Sequence, residues 1–346
     1  MNQGKKIYLE AIRIVAIFLV IFNHTDGFIY FTLPCSIITQ VYSLFLAIVC
    51  RIAVPLFFMV SGALLLTREQ SPLELVKRRI ARILIVLMAV SLLYYLFDIA
   101  RGRVDEYGIR DFMFRLSTNG IRESFWFLYT YTSTMLLLPF FRKAVLQFDK
   151  ELILYLIGLR GLTDFVLPVI GITTGLDWPI NFGTVIEYYY YILMGYYLDK
   201  EEEKIFLSGK KDGGVKALTV SLLALVFING VYIFIVKGVT GEYKIELLDF
   251  LVFLTAPLVF LIVKRFMDRM LKKGWECKCL YTVGESVFGI YLLDNFTRWQ
   301  FLPVYLFLSE KMVGILANSV YILLVFSAGF VYTRGMKKIP VVRRYI

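Results

Sequence analysis

The stretch EAIRIVAIFLVIFNHTDGF, residues 10–28, is almost pure hydrocarbon, yet it holds Glu10, Arg13 and His24, and His24 is the single histidine of the 346-residue chain. A run this long and this apolar crosses the ~30 Å core of a bilayer as a helix. An ionisable group inside such a span costs roughly 2.5–3.5 kcal/mol on insertion scales, so it faces a protein interior or a functional site rather than lipid. Arg13 and His24 are eleven residues apart. At about 100° per residue they return to within ~20° of one helix face, separated by a rise of about 16 Å. Glu10, three residues before Arg13, is placed to pair with it and orient it. An imidazole in apolar surroundings needs partners, and it takes up a proton near neutral pH. Asn23 and Asp26 are its polar neighbours in sequence.

The same character runs through the rest of the chain. Hydrophobic residues make up 59% and aromatics 16%, and the mean hydropathy is +0.70; soluble domains average roughly 45–50% apolar residues. The apolar runs do not alternate with polar residues, which excludes a transmembrane barrel. An all-α polytopic membrane protein is expected, with about ten spans near 7–28, 40–66, 80–98, 124–141, 152–170, 183–198, 216–236, 247–264, 281–307 and 313–333. LIGLRGLTDF interrupts the fifth span, and Pro303 is expected to break the ninth. Lys and Arg concentrate in alternate connections, among them REQSPLELVKRRIAR, KEEEKIFLSGKKDGG and KRFMDRMLKKGWECK. That asymmetry places both termini in the cytoplasm. It also accounts for the net charge of +11; no basic module with interleaved aromatics marks the chain for nucleic acid. The apolar N-terminus lacks a small-residue cleavage site and reads as a retained first helix. No linker or internal repeat divides the chain, so one membrane domain over residues 1–346 is expected. Cys35, Cys50, Cys277 and Cys279 do not form a zinc-ligand set, and no metal site is expected.

Four further segments carry polar residues that a purely structural span would not need. KRRIARI, residues 77–83, puts Arg79 and Arg82 on one face of an entering helix. They serve either as a positive-inside flank or as a phosphate clamp, since the guanidinium fork matches phosphate oxygens. RIAVPLFFMVSGALLL, residues 51–66, sets Arg51 beside Pro55, with Ser61 and Gly62 following. Packing and a pocket-lining role are both open for Arg51 and Ser61. ESFWFLYTYTSTMLLLP holds Trp126, at home in an interfacial belt or a binding surface. VGESVFGIYLLDNFTRW brings Glu285, Tyr291 and Asp294 into one late span, where two acids exceed what packing requires.

Taken in order, these segments resemble the membrane acyltransferase 3 family. The resemblance rests on the Arg–His pair of the first helix, VPLFFMVSG, the RIAR pair, FWFLY and GESVFGIYLLD, and it covers essentially the whole chain. It implies acyl transfer, most often of acetyl from acetyl-CoA, to sugar hydroxyls or amines of surface polysaccharides, cell-wall precursors or other small acceptors. It implies that His24 is catalytic, assisted by Arg13, that Arg79 and Arg82 hold the acyl-CoA, and that the chain sits in a bacterial inner or plasma membrane. Relatives commonly read Tyr-Leu-x-His where this chain reads YLLD, so Asp294 stands where a second histidine often sits. No fused extracellular domain follows the membrane part, so a route through a second soluble catalytic domain is not expected. His24 is left as either a general base or an acyl carrier. Arg13 is left to hold phosphate, to stabilise an oxyanion or to fix packing through Glu10. The competing reading is a multi-pass transporter or flippase of a cell-envelope intermediate. It would show paired halves with discontinuous helices at the midplane, and no such halves are visible.

Overall fold

The computed structural model describes residues 6–25, 32–33, 36–105, 107–145, 147–175, 183–200, 214–274 and 278–346. Asp26, Cys35, Cys277 and the basic connection at 201–213 lie outside them. In chain order the helices are α1 Ile7–His24, α2 Ile37–Cys50, α3 Ala53–Leu65, α4 Pro72–Ala100, α5 Ile109–Ser117, α6 Trp126–Val145, α7 Lys150–Thr174, α8 Gly183–Lys200, α9 Gly214–Thr240, α10 Val252–Lys272, α11 Lys278–Gly284, α12 Val287–Ser309, α13 Gly314–Met336 and α14 Pro340–Tyr345. There is no strand among the described residues. Each of the ten expected segments is largely helical over its described residues. Seven helical stretches among the described residues are long and apolar enough to cross a membrane: Ile7–His24, Ile37–Leu65, Pro72–Ala100, Lys150–Thr174, Gly214–Thr240, Ile245–Lys272 and Gly314–Met336.

Two punctuation marks differ from the sequence expectation. Pro303 does not break the late span; α12 runs through it from Val287 to Ser309. The interruption falls earlier, at Glu285–Ser286, between α11 and α12. In the fifth span, LIGLRGLTDF does not end the helix. The chain absorbs the irregularity as a π turn over Leu162–Val166 and continues to Thr174. The second span is split at Arg51–Ile52, between α2 and α3. Pro55 sits in the first turn of α3, where its missing N–H would have had no helical partner anyway.

The chain forms two compact units, Met1–Arg68 with Gln147–Phe330, and Glu69–Leu146 with Val331–Ile346. In the first unit, Ile12, Ala16, Ile17 and Ile21 of α1 are fully enclosed, and α1 packs on α2, α3, α10, α11 and α12. Lipid is as apolar as leucine, so close packing and interhelical polar contacts must hold such helices together. The tightest contact joins α3 to α8. A Cβ on Gly62 would stand 1.8 Å from the Ile192 carbonyl oxygen, and one on Gly195 would stand 2.0 Å from that of Met59. Each glycine admits the backbone of the other helix. At the Ile7 end of α1, the Lys6 ammonium and the Tyr8 hydroxyl both donate to Asp199 at the end of α8. Lys264 of α10 donates to the Leu198 carbonyl at 2.5 Å, satisfying a helix-terminal acceptor.

In the second unit, Arg122 grips Asp98 through two nitrogens at 2.6 and 2.9 Å and lies 4.5 Å over the Tyr94 ring. Asp111 accepts from Tyr95 Oη at 2.7 Å and from Arg115 Nε at 2.8 Å. The Tyr95 bond, foremost, holds its carboxyl below the usual range. Ser71 caps α4, accepting from the Glu74 N–H at 3.2 Å, with Pro72 in the first helical position.

Gly62→Ala and Gly195→Ala each force α3 and α8 apart, and overpacking of this kind costs about 1–3 kcal/mol. Both are expected to lower the thermal unfolding midpoint in detergent. Gly238→Ala, in α9 with nothing within 4 Å of its added Cβ, is expected to hold or raise the midpoint by up to about 1 kcal/mol of stability. Equal midpoints for all three would show that α3 and α8 do not approach this closely.

Candidate active site

His24 is the last residue of α1, and its side chain keeps 19% of its exposure. Its Nδ1 lies 2.7 Å from Oδ2 of Asp294, on α12, whose side chain is wholly enclosed. An ionised carboxylate only accepts hydrogen bonds, so across this contact Nδ1 is the donor and Nε2 is not used. Nε2 makes no hydrogen bond to the described residues. The ring is therefore held through Nδ1, with Nε2 unengaged among the described residues, the arrangement of an oriented base.

The carboxylate is itself supported. Arg298 lies one turn beyond Asp294 on α12, and its Nε donates to Asp294 Oδ2 at 3.1 Å. Its Nη1 donates to the His24 carbonyl at 2.7 Å, and its Nη2 to Asn295 Oδ1 at 2.9 Å. The His24 carbonyl is one of the terminal acceptors that a helix leaves unpaired, and a cation at that end complements the helix dipole. One guanidinium thus neutralises the buried acid and caps the helix that carries the histidine. From α13, Tyr321 donates to the Arg298 carbonyl at 2.5 Å, and the Tyr305 ring stacks on Tyr321 at 5.1 Å. Asp294 Oδ1 is buried with no partner among the described residues.

Eleven residues before His24, Arg13 Nη1 donates to both oxygens of Glu10, at 2.9 and 3.0 Å. Glu10 is 7% exposed. It fits because residue 284 is glycine; a Cβ there would lie 2.4 Å from Glu10 Oε2. The VGES run thus leaves room for the carboxylate that anchors Arg13.

The other expected residues are placed less centrally. Tyr291 is buried one turn before Asp294, whereas Glu285 is exposed at the α11–α12 break. Ser61 is buried on α3 and donates to the Phe57 carbonyl at 3.0 Å. Arg51, at the α2–α3 break, approaches Asp249 at 3.8 Å. Arg79, Arg82 and Trp126 belong to the second unit. There Arg82 is exposed and its Nε donates to the Tyr345 carbonyl at 2.9 Å. Arg79 is half-buried in the π turn Val76–Ile80, and Trp126 is 37% exposed at the start of α6. Sequence reading missed Arg298. The signal was present as the i, i+4 spacing from Asp294, which puts an acid and a base on one face of a span. Among the described residues, no group of three or more His, Cys, Asp or Glu side chains is placed to hold a metal ion.

A family model described as an acyltransferase domain, that of the acyltransferase 3 family, matches residues 6–333, nearly the whole chain. No curated protein and no solved structure matches the chain.

Because His24 is the only histidine, ¹⁵N-histidine labelling of the untagged protein gives a single imidazole. The wild-type ring is expected to show a protonated Nδ1 and an unprotonated Nε2. Asp294→Asn is expected to shift it toward a mixture of tautomers, because the amide offers a donor as well as an acceptor. An unchanged tautomer in that variant would remove Asp294 as the orienting group.

Proposed function

The chain belongs to the acyltransferase 3 family of membrane acyltransferases, and from that premise we propose that it moves an acetyl group from cytosolic acetyl-CoA to a hydroxyl of a cell-surface polysaccharide or cell-wall precursor. The observation that carries this reading is the His24 Nδ1–Asp294 contact of 2.7 Å, with Nε2 making no hydrogen bond to the described residues.

In the proposed step, Nε2 takes the proton of the acceptor hydroxyl as its oxygen attacks the thioester carbonyl. The new C–O bond forms, the C–S bond breaks, and the imidazolium returns its proton to the departing CoA sulfur. Asp294 stabilises the transient imidazolium across the Nδ1 hydrogen bond. General-base catalysis of this kind contributes about 10²–10⁴-fold. Arg13, on the same face of α1 about 16 Å nearer its N-terminus, is oriented by Glu10 toward the donor. In the second unit, Arg79 and Arg82 hold the phosphates of the nucleotide end, for which paired guanidiniums are suited. Nε of Arg82 donates to the carbonyl of Tyr345. With both termini cytoplasmic, His24 lies in the outer half of a bacterial cell membrane, where a surface acceptor meets a cytosolic donor.

His24→Ala is expected to lower acetyl transfer from radiolabelled acetyl-CoA by about 10²-fold or more, with normal insertion into membranes. Wild-type turnover in a well-inserted variant would end the catalytic assignment. The double change Arg79→Ala with Arg82→Ala is expected to weaken acetyl-CoA binding by about tenfold or more, equivalent to ~1.4 kcal/mol. Unchanged affinity would return the two arginines to a role in membrane topology alone.

A further inference from the structure

The support of His24 sits on one turn of α12, Asp294 to Arg298, and that turn lies just before the proline inside the helix, Pro303. Pro303 has no N–H to give the carbonyl four residues back, at Trp299, and a proline ring crowds that carbonyl. On the other side of Arg298, the Thr297 hydroxyl donates to the Leu293 and Asp294 carbonyls, each at 3.1 Å. Back-bonding of this kind bends helices. The backbone of Arg298 is thus flanked on both sides by departures from a plain helical ladder.

Tyr321 of α13 meets α12 at this place. Its hydroxyl donates to the Arg298 carbonyl at 2.5 Å. Its buried ring stacks on Tyr305, with centroids 5.1 Å apart and planes at 25°. Arg298 lies five residues before Pro303 and Tyr305 two after it, so one side chain of α13 holds α12 on both sides of the proline. Phenylalanine would serve packing alone. A tyrosine hydroxyl in an apolar interior needs an acceptor, and this one takes the carbonyl of the residue whose fork supports the site. All three nitrogens of that fork are engaged, with Asp294 Oδ2 at 3.1 Å, the His24 carbonyl at 2.7 Å and Asn295 Oδ1 at 2.9 Å. A side chain so fully engaged has no slack. A shift of its backbone is passed on to the carboxylate and to the end of α1.

We infer that Tyr321 is a positioning residue for the His24 imidazole, acting through Arg298, and that it supplies the backbone hold which Pro303 takes away. The action is at one remove. Tyr321 fixes the backbone of Arg298, Arg298 fixes Asp294 and the end of α1, and those two fix the ring. No proton travels along this line. That the ring then serves as a base rests on the acyl-transfer reading; its positioning by Tyr321 does not.

The test is the single-imidazole ¹⁵N spectrum of the untagged full chain in nanodiscs, with the thermal unfolding midpoint as the control for folding. Tyr321→Phe keeps the ring and its stack and removes only the hydroxyl. It is expected to shift the Nδ1 resonance of His24 from its wild-type position. It is also expected to lower kcat for acetyl transfer by roughly 2–10-fold, the worth of one hydrogen bond, at an unchanged KM for acetyl-CoA. Adding Pro303→Ala returns an N–H to the ladder and is expected to bring the resonance most of the way back. Should Tyr321→Phe fail to fold, Tyr305→Leu leaves the hydroxyl, removes the ring stacked on it, and is expected to move the same resonance. A wild-type resonance in the folded variant would overturn the inference, as would a shift that Pro303→Ala does not reduce. A shifted resonance in Tyr321→Phe, alongside wild-type turnover by His24→Ala, would support the positioning role and instead overturn the catalytic reading of His24.

Discussion

The Asp294 carboxylate has no access to solvent, and that single fact constrains the most. Moving a carboxylate out of water costs several kcal/mol even after relaxation, and the cost is offset only by well-aimed partners. Here the partners come from two directions, the His24 ring of α1 and the Arg298 fork of α12 itself. Because Arg298 also holds the His24 carbonyl, α1 and α12 meet in one register. Sliding either helix by a turn, about 5.4 Å, would strand a charge in an apolar interior. The orientation of the imidazole and the position of the end of α1 both follow from holding one oxygen of this acid.

The opposite end of α1 is pinned by the same kind of argument with different groups. Lys6 and Tyr8 converge on Asp199, and Glu10 is pressed against Gly284 while holding Arg13. Between the two ends, the side chains that face the neighbouring helices are enclosed apolar residues. A helix fixed at both ends keeps the spacing of Arg13 and His24 constant. The close α3–α8 contact at Gly62 and Gly195 supplies a stiff neighbour for α1, since backbone touches backbone there and no side chain can yield.

Much of this was legible in the residues. Apolar length alone pointed to helices where the described residues are helical, because in a bilayer nothing but a helix satisfies its backbone there. The Glu10–Arg13 pair follows from a spacing of three, and the stripe from Arg13 to His24 follows from a spacing of eleven. The partner of His24 was not legible, because 270 residues separate it from Asp294 and only tertiary packing brings them together. Asp294 was legible only as one of two acids too many for packing in a late span, whereas in space its carboxylate meets the His24 ring. Proline was overvalued as punctuation. Pro303 sits inside α12, while the actual break at Glu285–Ser286 has no proline near it. The π turn at Leu162–Val166 left only an untidy Gly and Arg in the sequence, which read as an interruption rather than a bulge.

Both polar sets of the first unit leave buried polar atoms unpartnered among the described residues: Asp294 Oδ1 in one, and Nε of Arg160, Nε of Arg51 and the Tyr232 hydroxyl in the other. Around His24 the remaining groups are engaged, Nδ1 by Asp294 and the end of α1 by Arg298. In a hydrocarbon setting where water cannot fill the gap cheaply, each unpartnered atom is costly, so the engaged contacts carry the burden of holding the helices in register.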